Sequence, residues 1–184
     1  MGVEANGLLK AIVPSSYQTV VFISMNEGDE PSWDTLKVQT VDLNISDAND
    51  AKKYIVDTKD ADGKYQGAWI RTNEVAIYFE DNWSWHSYGD KKVNAYFSGS
   101  TMGTNPGWPG NNLTITVTPN GDGYYRYRVV VPQDITGLIF NGNGQYGAEQ
   151  SADYKEKVND YDCFYMTYDS KTNTKPLGKY TYEI

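Results

Sequence analysis

Reactive chemistry in a protein comes from titratable pairs, metal-ligating clusters, or flat rings set beside planar amides, and this chain is rich only in the last. It carries 16 Tyr and 5 Trp against 5 Phe, so most of its aromatic rings bear a polar handle. Such rings suit strands with one wet face, and they equally suit surfaces that hold amphipathic ligands. The sharpest case is GWPGNN, Gly107 to Asn112, which sets Trp108 among turn formers that ordinarily face water. A pyranose is a ligand of matching chemistry, with apolar C–H faces and a hydroxyl rim. Its site needs rings for the faces and amides, which offer donor and acceptor together, for the rim. Trp and Tyr also lose little rotamer freedom on binding.

Other chemistries find less support. His86 is the sole histidine and no nucleophile elbow lies near it, so it reads as a surface residue. The stretch Asp57 to Gly63 has the composition of a calcium loop, but its first ligand is misplaced relative to the glycine and no glutamate follows at the last ligand position; it reads as an acidic turn. NGNGQYG lacks the strand and helix context of a dinucleotide fingerprint. Cys163, alone, excludes an internal disulfide and a Cys-based zinc site and reads as a small buried hydrophobe. No cofactor and no metal is expected. A net charge of −8, from 24 acidic and 16 basic residues, disfavours nucleic acid and anionic membrane surfaces as partners. MGVEANG has no apolar h-region and later apolar runs are short, so neither a signal peptide nor a transmembrane helix is expected.

The elements that must position these residues read as strands. Short β-type runs separated by Gly, Asn, Asp and Pro are expected at 20–25, 38–45, 53–56, 75–79, 93–97, 113–117, 124–131, 138–140, 164–168 and 179–183. LTITV and YYRYRVVV alternate with period two around TPNGDG, the signature of a hairpin. A brief helical turn is expected within 46–53, with Ser46 or Asp47 as cap. The class is all-β, an antiparallel β-sandwich of immunoglobulin-like or jelly-roll-like form.

The chain also repeats itself. Val13-Pro14 through Val20-Val21-Phe22 stands in gapless register with Val131-Pro132 through Leu138-Ile139-Phe140, and Gln39 to Leu43 echoes Gln150 to Tyr154. Residues 1–72 therefore read as the closing half of a module and 73–184 as a complete one. A half-sandwich leaves apolar faces and edges uncovered, so the first part is expected to pack against the second.

Within 73–160, IYFEDNWSW, VNAYF, GWPGNNLT, NGDGYY and GLIFNGNGQYGAEQSADY follow in fixed order. This order resembles the family-26 starch-binding carbohydrate-binding modules, and VVFISMN followed by PSWDTLKVQTVDL is similar to the closing half of such modules. The resemblance implies a β-sandwich that binds α-1,4-glucan, such as starch or maltooligosaccharides, without catalysis. It further implies a monomer tethered to the other domains of a parent protein, extracellular or at the bacterial cell surface. Position by position, it places sugar-stacking rings at Tyr96 and Trp108 and the amide role at Gln145, Asn141 or Asn143. Asn94 stands where many relatives have a second aromatic, so the platform is smaller or is completed by Trp83, Trp85 or Phe97. Periodicity alone leaves Tyr96 as readily at the rim of the core as in a site. Trp83 and Trp85 share a parity if their strand continues, which points to one contact with ligand at most. Trp33, in the loop of the partial copy, is the candidate for a second site. The competing readings are a small jelly-roll glycoside hydrolase, with Glu74, Glu80 and Asp81 as its available carboxylates, and a protein-binding adhesive sandwich.

Overall fold

In the computed structural model the chain divides into two compact units, Met1–Thr72 and Asn73–Ile184. The structure describes residues 2–3, 9–48, 51–87, 93–117, 123–142 and 150–184.

The first unit is a set of two-stranded antiparallel ladders. β1 (Gly2–Val3) pairs with β2 (Leu9–Lys10), β3 (Thr19–Val20) with β6 (Leu43–Asn44), and β4 (Ile23–Ser24) with β5 (Val38–Gln39). The longest is the hairpin of β7 (Lys52–Lys59) and β8 (Tyr65–Arg71). Its acidic turn is a hairpin turn, where Asp60 Oδ1 accepts from the backbone N–H groups of Asp62 (3.0 Å) and Lys64 (2.8 Å). Tyr54 and Trp69, directly opposite across the ladder, meet edge to face at 5.1 Å. β8 is the one long strand absent from the expected set. Gly67 interrupts its apolar alternation, yet a Cβ there would run into the Ile55 carbonyl, so the ladder requires the residue that hides it. The expected helical turn is a 3₁₀ turn at Ile45–Asp47, capped two residues before Ser46 by Asn44, whose Oδ1 accepts from Ser46 N–H.

The repeat is visible in the hydrogen bonds. Phe22 N–H donates to Thr40 Oγ1 at 3.1 Å, and Phe140 N–H donates to Ser151 Oγ at 3.1 Å. Thr40 and Ser151 return their own N–H groups to the carbonyls of Phe22 and Phe140. Val20 pairs with Leu43 as Leu138 pairs with Tyr154, and Ile23 with Gln39 as Asn141 with Gln150. Burial differs between the copies. Val131, Ile135, Leu138 and Phe140 are sealed, whereas Val13 and Tyr17 are exposed and Val20 and Phe22 half-buried.

The second unit contributes β9 (Glu74–Glu80), β10 (Val93–Ser98), β11 (Asn111–Asn112), β12 (Thr116–Val117), β13 (Arg126–Pro132), β14 (Gly137–Gly142), β15 (Asp162–Met166) and β16 (Leu177–Thr181). One sheet runs β12-β13-β9-β15-β16 and the other β11-β10-β14; every pairing is antiparallel except the parallel one between β9 and β15. Period-two alternation turns Val75, Ile77, Phe79, Val129, Val131, Phe164 and Met166 of the larger sheet toward Ala95, Phe97, Leu138 and Phe140 of the smaller. Phe79 stacks on Phe140 across the layer at 4.3 Å, which makes the unit a β-sandwich. β9 is buried on both faces, as its unbroken run VAIYF requires, because Tyr78 on the far side stacks on Tyr182 at 4.4 Å beside buried Cys163. Burial pushes the Cys163 thiol up to about 11.

Two polar assemblies tie the sheet and its connections. Buried Arg126 on β13 pairs through Nη2 with Glu80 Oε2 on β9 and donates from Nε to Tyr180 Oη at 2.8 Å; Tyr180 Oη in turn donates to the same Glu80 oxygen at 2.7 Å. Where the chain leaves β10, Asp134 accepts from Ser100 Oγ (2.6 Å), Thr101 N–H (2.8 Å) and Thr101 Oγ1 (2.9 Å), and Ser100 and Asn105 close a small ring on each other. The Ser100 bond is the first cause, ahead of the Thr101 amide, of an Asp134 pKa lowered from 3.8 to about 2.

Removing one partner of a buried ion pair strands the other. Arg126→Leu is therefore expected to destabilise the chain by about 3–5 kcal/mol in denaturant unfolding, and Arg126→Leu with Glu80→Leu by clearly less. Asp134 titrates lower folded than unfolded, so its stabilisation is present above its ordinary value and fades as pH falls from 3.8 through about 2. Unfolding of the native chain and of Asp134→Asn should differ at neutral pH and converge at the bottom of that window.

Candidate functional site

The face of the smaller sheet that points away from the core carries the site. Alternation along β10 sends Val93, Ala95 and Phe97 inward and Asn94, Tyr96 and Ser98 outward. On β14 the outward residues are Ile139 and Asn141, and the register sets Tyr96 beside Ile139 and Asn94 beside Asn141. The edge strand β11 brings Asn112 opposite Asn94.

Over this face lies the loop that presents Trp108. Gly110 N–H donates to the Gly107 carbonyl at 2.8 Å, closing a turn whose Trp108–Pro109 peptide is cis. Gly110 has φ +99°, and a Cβ there would run into the backbone of Ala95 and Tyr96. Only glycine permits both the conformation and the approach. From below, Asn141 Nδ2 donates to the Pro109 carbonyl at 2.8 Å. Trp108 is left 48% exposed, an unusual state for so large an apolar ring, with its centroid 5.5 Å from that of half-buried Tyr96 and the ring planes at 63°. The two rings meet edge to face and form an angled corner rather than a flat shelf. Ser98 lies on the same outward face, and exposed Asn111 and Asn112 stand at its edge.

The other residues expected at the site divide three ways. Asn94 and Asn141 are sealed and offer no amide to solvent: they point away from the core, but the Trp108 loop covers this face, and Asn141 is 1% exposed. Trp85 is also corrected. At 3% exposed it stacks on Phe79 at 5.7 Å inside the core, because β9 stops at Glu80 and the chain enters a 3₁₀ turn at Trp85–Ser87, so strand parity no longer applies. Trp83 packs against that core with Lys175 Nζ 5.1 Å over its ring, and Phe97 belongs to the core itself. Asn143 and Gln145 lie outside the described residues. Trp33, in the first unit, is 73% exposed beside an open groove of about 450 Å³ lined by Pro14, Tyr17, Val20 and Ile23.

Two of the three carboxylates weighed for hydrolysis, Glu80 and Asp81, are engaged in structure. Glu80 is held by Arg126 and Tyr180. Buried Asp81 accepts from Trp85 N–H and His86 N–H, both at 2.8 Å, and lies 2.7 Å from His86 Nδ1, so it fastens the 3₁₀ turn. Burial, with the Asp81 charge second, pushes neighbouring Tyr127 up to about 12. Among the described residues no group of three or more His, Cys, Asp or Glu is placed to hold a metal, and no helix is long and apolar enough to cross a membrane.

Asn111, Asn112 and the exposed pairing of His86 with Tyr125, centroids 4.1 Å apart, carry polar and aromatic surface that the sequence reading passed over. The two asparagines follow the loop glycine directly in GWPGNN, and their pairing along β10 is set by the fold.

No family model and no curated protein sequence matches the chain. Among solved structures the chain is similar to the crystal structure of CBMbc, of family CBM26, from Eubacterium rectale Amy13K in complex with maltoheptaose. That likeness has 15% sequence identity and a TM-score of 0.37 and covers 79% of this chain. The chain spans 66% of that structure's length, just under two thirds.

Proposed function

We propose that the chain is a non-catalytic carbohydrate-binding protein whose second unit holds α-1,4-linked glucose against the paired rings of Tyr96 and Trp108. The observation that carries this reading is the exposed Trp108 ring held beside Tyr96 at 63° by a loop fastened at both Gly110 and Asn141. Rings fixed before the ligand arrives lose little entropy on binding, and each presents a face to the C–H surface of a sugar. The angle between them favours a curved glucan, whose successive rings turn relative to one another, over the flat ribbon of a β-1,4 chain. Exposed Asn112, opposite outward-facing Asn94, supplies an amide at the rim. We place the chain in a secreted or surface-displayed protein, tethered to further domains and acting as a monomer that anchors them to starch.

Hydrolysis needs two carboxyl groups roughly 5 to 9 Å apart across the cleft. Glu80 and Asp81 are instead committed to Arg126 and to the 3₁₀ turn, which favours binding without turnover.

Isothermal titration with maltoheptaose is expected to give a Kd on the order of 10 μM to 1 mM, since a few stacking contacts barely exceed the entropy of ordering. Cellohexaose should give no heat. Absence of heat at millimolar maltoheptaose, or sustained release of reducing sugar, would overturn the reading. Trp108→Ala should weaken binding at least about tenfold with the unfolding midpoint unchanged, the behaviour of an exposed anchor, and Tyr96→Ala, at a half-buried position, should weaken binding as much with a modest loss of stability. Trp85→Ala should do the opposite, lowering stability by about 3–5 kcal/mol through its cavity.

A further inference from the structure

We infer that Asn141 is a positioning residue for Trp108: its buried amide fixes the height and tilt of the loop that carries the ring, without touching ligand. Its Nδ2 donates to the Pro109 carbonyl, the residue after Trp108, at 2.8 Å, and its side chain is sealed from solvent. Its Oδ1 is buried and has no hydrogen-bond partner among the described residues. A buried amide with one half unsatisfied is destabilising, so its presence at this position is accounted for by the half that is bonded. The orientation is determined as well, because a flipped amide would set carbonyl against carbonyl.

The repeat supplies an internal comparison. Ile23 pairs with Gln39 in the first unit as Asn141 pairs with Gln150 in the second, so Ile23 is the structural counterpart of Asn141. An isoleucine donates nothing, and in the first unit that position is exposed and lines the apolar groove beside Trp33. The same ladder thus exists with the amide and without it, so the backbone pairing does not itself require an asparagine at this position.

The ligand half of this inference rests on the carbohydrate reading; the positioning half does not. The test uses the full chain labelled with 5-fluorotryptophan, in which ¹⁹F NMR reports each of the five tryptophans and Trp108→Phe assigns the Trp108 resonance. In Asn141→Leu, which keeps the bulk and removes the donor, the Trp108 resonance is expected to shift and narrow while those of Trp33, Trp69, Trp83 and Trp85 hold. Maltoheptaose binding should weaken about tenfold, the order of one lost hydrogen bond. Asn141→Asp, which replaces the donor by an acceptor, should do the same. An unmoved Trp108 resonance in both variants overturns the inference, as does a joint displacement of all five in both, which would mark a general packing role. Should the native chain give no heat with maltoheptaose, the carbohydrate reading fails while the fluorine spectra still decide whether Asn141 sets the ring.

Discussion

The exposed pair of rings depends on one close approach. The backbone at Gly110 lies against the backbone of Ala95 and Tyr96 with no room for a methyl group between them. Because the loop lies flat there, the ring two residues earlier is carried over the sheet beside Tyr96 instead of projecting into solvent. The same approach roofs the outward face of β10 and β14, which explains why Asn94 and Asn141 are buried on the side away from the hydrophobic core. A polar face under a loop must find partners for its amides, and the Pro109 carbonyl is one of them. The bonding of the asparagine and the exposure of the tryptophan follow from the same geometry.

Much of this was legible in the residues. VNAYF and GLIFNG alternate, so inward and outward sets could be assigned, and an apolar ring between glycines and a proline already marked the loop as a place of contact. The amides were harder. An asparagine side chain offers the same donor and acceptor to a sugar hydroxyl as to a main-chain carbonyl, and only the loop overhead decides which it meets. Trp85 was misplaced for another local reason: Asp81 caps a turn directly after β9, and a parity argument has no force once the strand has stopped. β8 was missed because Gly67, which its close pairing demands, is the residue that erases the strand pattern.

The two copies show how a shared ladder supports different surfaces. Reciprocal bonds between Phe22 and Thr40, and between Phe140 and Ser151, keep the backbone the same. Substituting an isoleucine for an asparagine one residue later leaves that backbone intact and changes what it displays, from a polar clamp to an apolar wall. Function in this architecture is carried by side chains added to a conserved hydrogen-bond scheme, in keeping with the separation of fold from site.

The parallel neighbour relation between β9 and β15 reaches beyond the folded state. Hairpin partners zip up as soon as both have been synthesised, but β9 at residues 74–80 acquires this neighbour only when 162–166 arrives, after five intervening strands. During translation its edge stays unpaired for most of the unit's length, and the sandwich closes only after residue 166 has cleared the ribosome. A premature stop between β13 and β15 therefore releases a sheet with an open, adhesive edge rather than a smaller working domain.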